Sequence, residues 1–341
     1  MQDKHPSQMA QLPSFLSASF IFLYLIICLT AADPGSHSSI HTQKIYQFPN
    51  GTWVENIAVR RNGNLLVTHV NAPQLWEIHD PSLSLRQNPQ ENTTASLIHT
   101  FGSAEFLTGI TEMEPDVFIV GSPKTLWRVD YRRATRGGRP SITKITTVLG
   151  ALNMNGMTTL DVAKGLVLTA DSMLGVIWRV NVRTGESSIV LEDERTMTAD
   201  TSLGPLVGVN GVKIHEDYVY YNNAPQRLYC RVKINRNTGT AVGPYELISD
   251  DTMADDFVLD RSGVGYLAGL IDNVVTLVHP NGTHRVIAGA QNSTEFAMAT
   301  AAAFGRTRLD HKVLYVTTGG ALGTPVTETG FEGGKIVAIK L

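Results

Sequence analysis

Five oxygen-bearing side chains recur along this chain at intervals of roughly 45–55 residues: Glu55, Thr108, Asn155, Asn210 and Asp255, the last followed by Asp256. Each stands at the start of a short apolar run. A second set, His69, Asp171 with Ser172, and Asn222 with Asn223, closes the apolar run that comes next. Brought together, these groups could do three kinds of chemistry. Asp255, Glu55 and His69 are candidate catalytic groups, able to move a proton as general acid or base. Amides such as Asn155 and Asn222 can polarise a carbonyl. Oxygens from Glu, Asp and Asn suit a hard cation such as Ca²⁺ or Mg²⁺. A charge at the inner end of a buried strand needs a partner or a metal, which singles out Glu55 and Asp255.

The elements that must position them form a sixfold repeat. Third strands read Leu75-Trp76-Glu77-Ile78, Leu126-Trp127-Arg128-Val129, Ile177-Trp178-Arg179-Val180, Leu228-Tyr229-Cys230-Arg231-Val232, Val274–Val278 and Lys335–Ile339. Four short strands per repeat predict an all-β, six-bladed β-propeller with four antiparallel strands per blade. The turn Arg60-Arg61-Asn62-Gly63-Asn64 between two apolar runs is a hairpin signal of this kind. Blade six comes out one strand short, and Lys44–Phe48 is predicted to close the ring from the N-terminal side. Blade geometry then puts the starts of first strands and the ends of second strands on one rim around the axis. Glu55, Thr108, Asn155, Asn210 and Asp255 would converge there with His69, Asp171 and Asn222. Met157 and Phe257, with Met154, Met253 and Met298, would supply apolar walls.

Plainer roles compete. Asp171 and Asn222 end strands, where Asx residues also form turns. His69 also reads as a structural histidine, and the methionines as inner-strand packing. Trp76, Trp127 and Trp178 recur at equivalent blade positions, which reads as core.

The chain has 341 residues, a net charge of −3 and only 17% charged residues, with no basic stripe, so nucleic acid is excluded as an expected partner. Residues 1–32 read as a secretory signal peptide, with the apolar run Phe20–Leu29 followed by Thr30-Ala31-Ala32. An uncleaved anchor is the rival. Residues 33–341 would be a single propeller domain, lumenal or secreted, monomeric and free of the membrane after cleavage. Only Cys230 would remain, so no intrachain disulfide is expected. Sequons at Asn50, Asn92, Asn281 and Asn292 are candidate glycosylation sites.

The series Val54-Glu55-Asn56, Met154-Asn155-Gly156-Met157, Val209-Asn210-Gly211-Val212 and Ala254-Asp255-Asp256-Phe257 resembles the senescence-marker/gluconolactonase-like family of six-bladed propellers, over nearly the whole span from Lys44 to Leu341. The resemblance implies a divalent metal (Ca, Mg or Zn) held by Glu55, Asn210 and Asp255, with Asn155 facing substrate. Two flanks depart: the family's Pro-Asp-Gly reads Ala254-Asp255-Asp256, and its Glu-Gly-Pro reads Glu55-Asn56-Ile57. More narrowly, the chain resembles the fungal secondary-metabolism branch that includes hetero-Diels–Alderases of tropolone-sesquiterpene biosynthesis. That branch joins an o-quinone methide to a polyene such as humulene and requires no cofactor for the cycloaddition. Three functions therefore stand: a cyclase of this type acting on small molecules, a metal-dependent lactonase, and a non-catalytic binding propeller.

Overall fold

Runs of five to seven residues rich in Val, Ile, Leu and aromatics, punctuated by Gly and Asx turns, fold here as hairpins. Asn62-Gly63 is one such turn: the Arg60 N–H reaches the Asn64 carbonyl at 2.8 Å, and Gly63 takes a φ of 93°. That φ lies in the left-handed region where glycine carries no steric cost. The computed structural model describes residues 40–85, 93–134, 138–201, 207–322, 326 and 331–341. The expected leader over residues 1–32 and the sequon Asn92 lie outside them. Asn50, Asn281 and Asn292 are exposed.

The described strands form six four-stranded antiparallel sheets. Five run in simple chain order from the axis outward. Blade one is Val54–Val59, Leu65–His69, Gln74–His79 and Thr94–Thr100. Blades two to five begin at Ile110–Glu114, Met154–Asp161, Val209–His215 and Phe257–Leu259. Blade six breaks the order: Ala299–Phe304, Val313–Thr318 and Lys335–Lys340 are followed outward by His41–Gln47. The ring closes as the strand count predicts. The closing strand starts three residues earlier than expected, pairing His41 with Lys340 through to Gln47 with Lys335. Phe48 stays outside the ladder register, its N–H donating to the Gly334 carbonyl at 2.9 Å. The outer strand of blade four is also longer than expected, Ala241–Ser249, and contains Pro244. A proline is tolerated there because an outermost strand leaves N–H groups unpaired on one side.

Every blade packs on its neighbours through an apolar layer. Leu66, Leu75, Phe118 and Trp127 join blades one and two; Met113, Ile119, Met154, Met157 and Trp178 join two and three. Tyr220, Tyr229, Phe257 and Leu267 join four and five, and Ile45, Val54, Tyr315 and Ile336 join six and one. Trp127 and Trp178 are core residues, as their repetition predicts, while Trp76 is half-buried.

At the rim, four of the six inner strands share an irregularity that strand alternation does not reveal. The register slips between Val54 and Asn56, Met154 and Met157, Val209 and Val212, and Ala299 and Ala301. These bulges re-aim the residue they contain, as bulges beside functional sites do. Those residues are Glu55, Asn155, Asn210 and Thr300.

Removing residues 41–47 should collapse the stability of the whole propeller, because it exposes both faces of the seam and re-opens the edge of Lys335–Lys340. Ile45→Ala, which empties one buried site in the same strand, should cost about 2–5 kcal/mol. Urea denaturation of both variants checks this, and a truncated protein that melts like the full chain would show the seam to be dispensable.

Candidate functional site

Six inner strands can meet around an axis only where their backbones are allowed to approach. Glycine supplies that permission immediately after three rim residues: Thr108-Gly109, Asn155-Gly156 and Asn210-Gly211. A Cβ on Gly109 would clash with the Asn155 carbonyl, and one on Gly156 would lie 2.5 Å from the Asn210 carbonyl. One on Gly211 would lie 2.5 Å from an oxygen of Asp256. Side-chain staples bind the same layer. The Thr68 hydroxyl donates to the Thr108 carbonyl at 2.7 Å, the Thr108 hydroxyl to the Met154 carbonyl at 2.9 Å, and the Thr300 hydroxyl to the Val54 carbonyl at 2.7 Å.

On this frame the structure brings together Glu55, Asn210 and Asp255. The Asn210 amide donates to Asp255 Oδ1 at 2.6 Å, and the Trp53 indole donates to Glu55 Oε2 at 2.8 Å. Neither carboxyl makes an ion pair among the described residues. Burial pushes the Glu55 carboxyl up to about 7, against the opposing indole hydrogen bond and with help from the negative charge of Asp256. Asp255 is also raised well above its ordinary value, by burial first and then by Glu55 and Asp256. Each keeps one oxygen without a protein hydrogen bond, and those oxygens are not sealed in the interior. Asn155, with its side-chain amide likewise unengaged among the described residues, stands on the neighbouring inner strand.

Below this rim lies a feature that the sequence reading missed. Asp256 replaces the glycine found at the equivalent place in blades two to four, and its carboxylate is fully engaged. Lys213 Nζ sits 2.5 Å from Oδ1, the Phe257 N–H donates to Oδ1 at 2.7 Å, and the Asn56 amide donates to Oδ2 at 2.9 Å from across the ring. The signal was present as Lys213 inside an otherwise apolar inner strand, between Val212 and Ile214. Trp53 was missed too, although it is the one tryptophan out of step with the blade repeat.

Other expected site residues go elsewhere. Asn222 is fully buried and spent on backbone: its oxygen accepts the Gly211 N–H at 2.9 Å and its amide donates to the Ala254 carbonyl at 2.6 Å. Asp171 accepts the Leu152, Asn153 and Leu174 N–H groups and the Trp178 indole, which is the turn-forming role. The Thr108 hydroxyl is a staple. Met157 and Phe257 are interblade core, with Phe257 edge-on to Tyr229 at 5.1 Å, so neither forms a funnel wall. His69 lies one strand out from the axis, in a box made by Phe48 and Trp76 with ring centroids 4.6 and 6.0 Å away. Burial lowers its imidazole to about 4, so it is neutral near pH 7, and its Nε2 is buried without a partner.

Glu55, Asn210 and Asp255 offer the oxygen donors that a hard divalent cation takes, and two ionised carboxylates would balance its charge. Since Lys213 serves Asp256, these two lack a cation of their own, and the donor set fits such an ion in kind.

Solved structures share the fold. A calcium-binding regucalcin from Agrobacterium tumefaciens is 15% identical, with a TM-score of 0.62 over 88% of this chain and 95% of that one. A gluconolactonase from Xanthomonas campestris is 11% identical, with a TM-score of 0.61 over 89% and 90%. No family profile matches the chain. Sequence relatives are more informative. A Sarocladium schorii protein provisionally named a hetero-Diels-Alderase is 28% identical over 329 residues, 84% of this chain and 80% of the relative. A Phoma protein with the same provisional name is 30% identical over 327 residues, 85% of this chain and 90% of the relative. The chain belongs to this hetero-Diels-Alderase family. Among the described residues, each of the two carboxyls keeps one oxygen unengaged at the rim, and the Asn155 amide stands beside them.

Since Glu55 is held as an acid, its contribution to stability is complete below about pH 4.5 and disappears as pH rises through about 7. Glu55→Gln keeps an acceptor for the Trp53 indole and removes the charge. Denaturant midpoints measured from pH 5 to pH 8 should show the variant gaining on the wild type by on the order of 2–3 kcal/mol. Parallel curves would show that Glu55 is ionised throughout.

Proposed function

We propose that this protein is a hetero-Diels–Alderase that joins an o-quinone methide to a polyene. The observation that carries the reading is the pair of buried carboxyls, Glu55 and Asp255, lacking a cationic partner among the described residues and held as acids at the rim around the axis. The sequence relatives named above point the same way.

The reaction demands little covalent chemistry of a protein. The oxygen-terminated diene and the alkene form one carbon–carbon and one carbon–oxygen bond, and nothing leaves. Two contributions remain. Holding the two partners in register converts an encounter into an effectively unimolecular step, worth several kcal/mol. Donating a hydrogen bond to the carbonyl oxygen of the diene draws electron density out of it and makes it more receptive to the alkene. A protonated Asp255 or Glu55 can supply that donor through its free oxygen, and the Asn155 amide can supply a second. If the methide forms in the same funnel by loss of water from a hydroxybenzyl precursor, the same acid can protonate the departing hydroxyl. Lys213, Asn56 and the Phe257 N–H hold Asp256 below, where its charge favours the protonated form of the pair above.

A cation at Glu55, Asn210 and Asp255 would instead supply Lewis acidity to a lactone carbonyl. The cycloaddition itself is proposed to need no cofactor. The protein is further proposed to act as a monomer in the secretory lumen or outside the cell, following the leader over residues 1–32.

Incubating the purified protein with a hydroxybenzyl precursor and humulene should yield one stereoisomer of the dihydropyran adduct, where the uncatalysed reaction gives a mixture. Asp255→Asn and Glu55→Gln should each lower kcat/KM by roughly 10²-fold or more. The wild-type rate should fall as pH rises above about 7, where Glu55 loses its proton. Activity should survive EDTA. Loss on chelation with recovery on adding calcium would give the funnel to a cation, and lactone hydrolysis without any adduct would overturn the cyclase reading.

A further inference from the structure

We infer that Trp53 is the positioning residue for Glu55: its indole N–H holds Oε2 of the carboxyl and so presents Oε1 alone to whatever occupies the rim. For its effect on rate the inference rests on the cycloaddition reading above. For its geometry it rests on the structure alone. Among the described residues the Trp53 indole is the one hydrogen-bond partner of the Glu55 carboxyl, at 2.8 Å, and Glu55 is buried. A Glu side chain has one more rotatable bond than Asp and loses more freedom when it is held. Asp255 has its own anchor in the Asn210 amide, on Oδ1. Unlike an amide, an indole can only donate. The bond from Trp53 therefore runs in one direction in every state of the carboxyl, and Oε2 is always the accepting oxygen.

Trp53 is itself clamped from two blades. On the blade-one side, Asn71 Oδ1 accepts the Trp53 N–H at 2.9 Å, and the Val70 N–H donates to the Trp53 carbonyl at 3.2 Å. From blade six, the Gly334 N–H donates to the Thr52 carbonyl at 2.8 Å. The indole ring packs on Gly319, where a Cβ would come 3.2 Å from both Cδ2 and Cε2, tighter than ordinary contact. Gly319 is fixed in turn by its N–H on the Met298 carbonyl at 2.7 Å. The ring thus reaches Glu55 from the seam between blades six and one. A side chain locked by packing and backbone bonds can aim its neighbour to the fraction of an ångström that a reacting site demands. This also gives a task to the one tryptophan that stands outside the third-strand repeat.

A single free oxygen limits what Glu55 can serve. It can share one directed hydrogen bond with a ligand oxygen, or offer one oxygen to a cation. It cannot supply the two-oxygen grip with which Glu often takes calcium.

The test reads the bond directly. The ¹⁵N-labelled protein should show indole N–H resonances from Trp53, Trp76, Trp127 and Trp178, and Trp53→Phe assigns one by deleting it. Glu55→Ala should move that resonance upfield and leave the other three in place. With substrates, Trp53→Phe should keep the melting temperature and both KM values while kcat falls about tenfold, the size of one hydrogen bond to a carboxyl. Gly319→Ala, which presses on the indole from blade six, should lower kcat in the same way. In a Glu55→Ala background, Trp53→Phe should lower kcat no further, as residues that act as a unit do. A Trp53 resonance indifferent to Glu55 would overturn the inference, and so would kcat losses that simply multiply. A wild type that makes no adduct, with the Trp53 resonance still following Glu55, would sink the cycloaddition reading and leave the clamp standing.

Discussion

Everything at the funnel depends on how closely six inner strands can approach one another around the axis. Three glycines permit it, at 109, 156 and 211, each where a Cβ would strike the next strand. Threonine hydroxyls and the Asn222 amide then satisfy carbonyls that the crowding would leave unpaired. The bulges at the strand starts follow from the same compression. A regular ladder would alternate sides at each residue, but a bulged one can present Glu55, Asn155 and Asn210 to the axis while Val54, Met154 and Val209 stay in the core. Compactness at the centre is therefore what turns a repeat of turns and apolar runs into a ring of converging polar groups.

Crowding also decides the electrostatics. Carboxyls forced so close to an axis lose solvent and repel each other, so the inexpensive state for Glu55 and Asp255 is the uncharged one. The ring resolves one further charge differently: Asp256 is given Lys213 and two hydrogen bonds and remains as an ion pair with its back to the rim. Two layers with opposite solutions to the same problem lie a single residue apart in sequence. The upper layer is left able to donate to a ligand, and the lower one is saturated.

Much of this was legible in the sequence because the repeat is periodic and periodicity survives without coordinates. Tryptophans at equivalent positions and the shortage of one strand in blade six point to the observed architecture. The recurrence of polar residues at strand starts puts Glu55, Thr108, Asn155, Asn210 and Asp255 on one rim, while the narrower trio Glu55, Asn210 and Asp255 is what the family resemblance implies. What was not legible is anything set by contacts between distant blades. Asn56 meets Asp256 from across the ring, and no local pattern predicts that pairing. Asn222 and Asp171 were expected at the site because they end strands on the right face. Their side chains instead satisfy neighbouring backbone, which is the ordinary role of Asx residues. Met157 and Phe257 were placed near the rim correctly, but their side chains turn into the interblade layer.

The closing strand carries a consequence for chain order. His41 lies opposite Lys340, so the beginning and end of the propeller are adjacent rungs of one hairpin that lacks only its loop. Where the polypeptide opens is then a matter of covalent bookkeeping and not of shape. A short linker across that gap, with a new opening cut at an exposed turn elsewhere, would leave every ladder intact. The sixth blade is the seam because its outermost strand, His41–Gln47, is drawn from the opposite end of the propeller sequence to Lys335–Lys340.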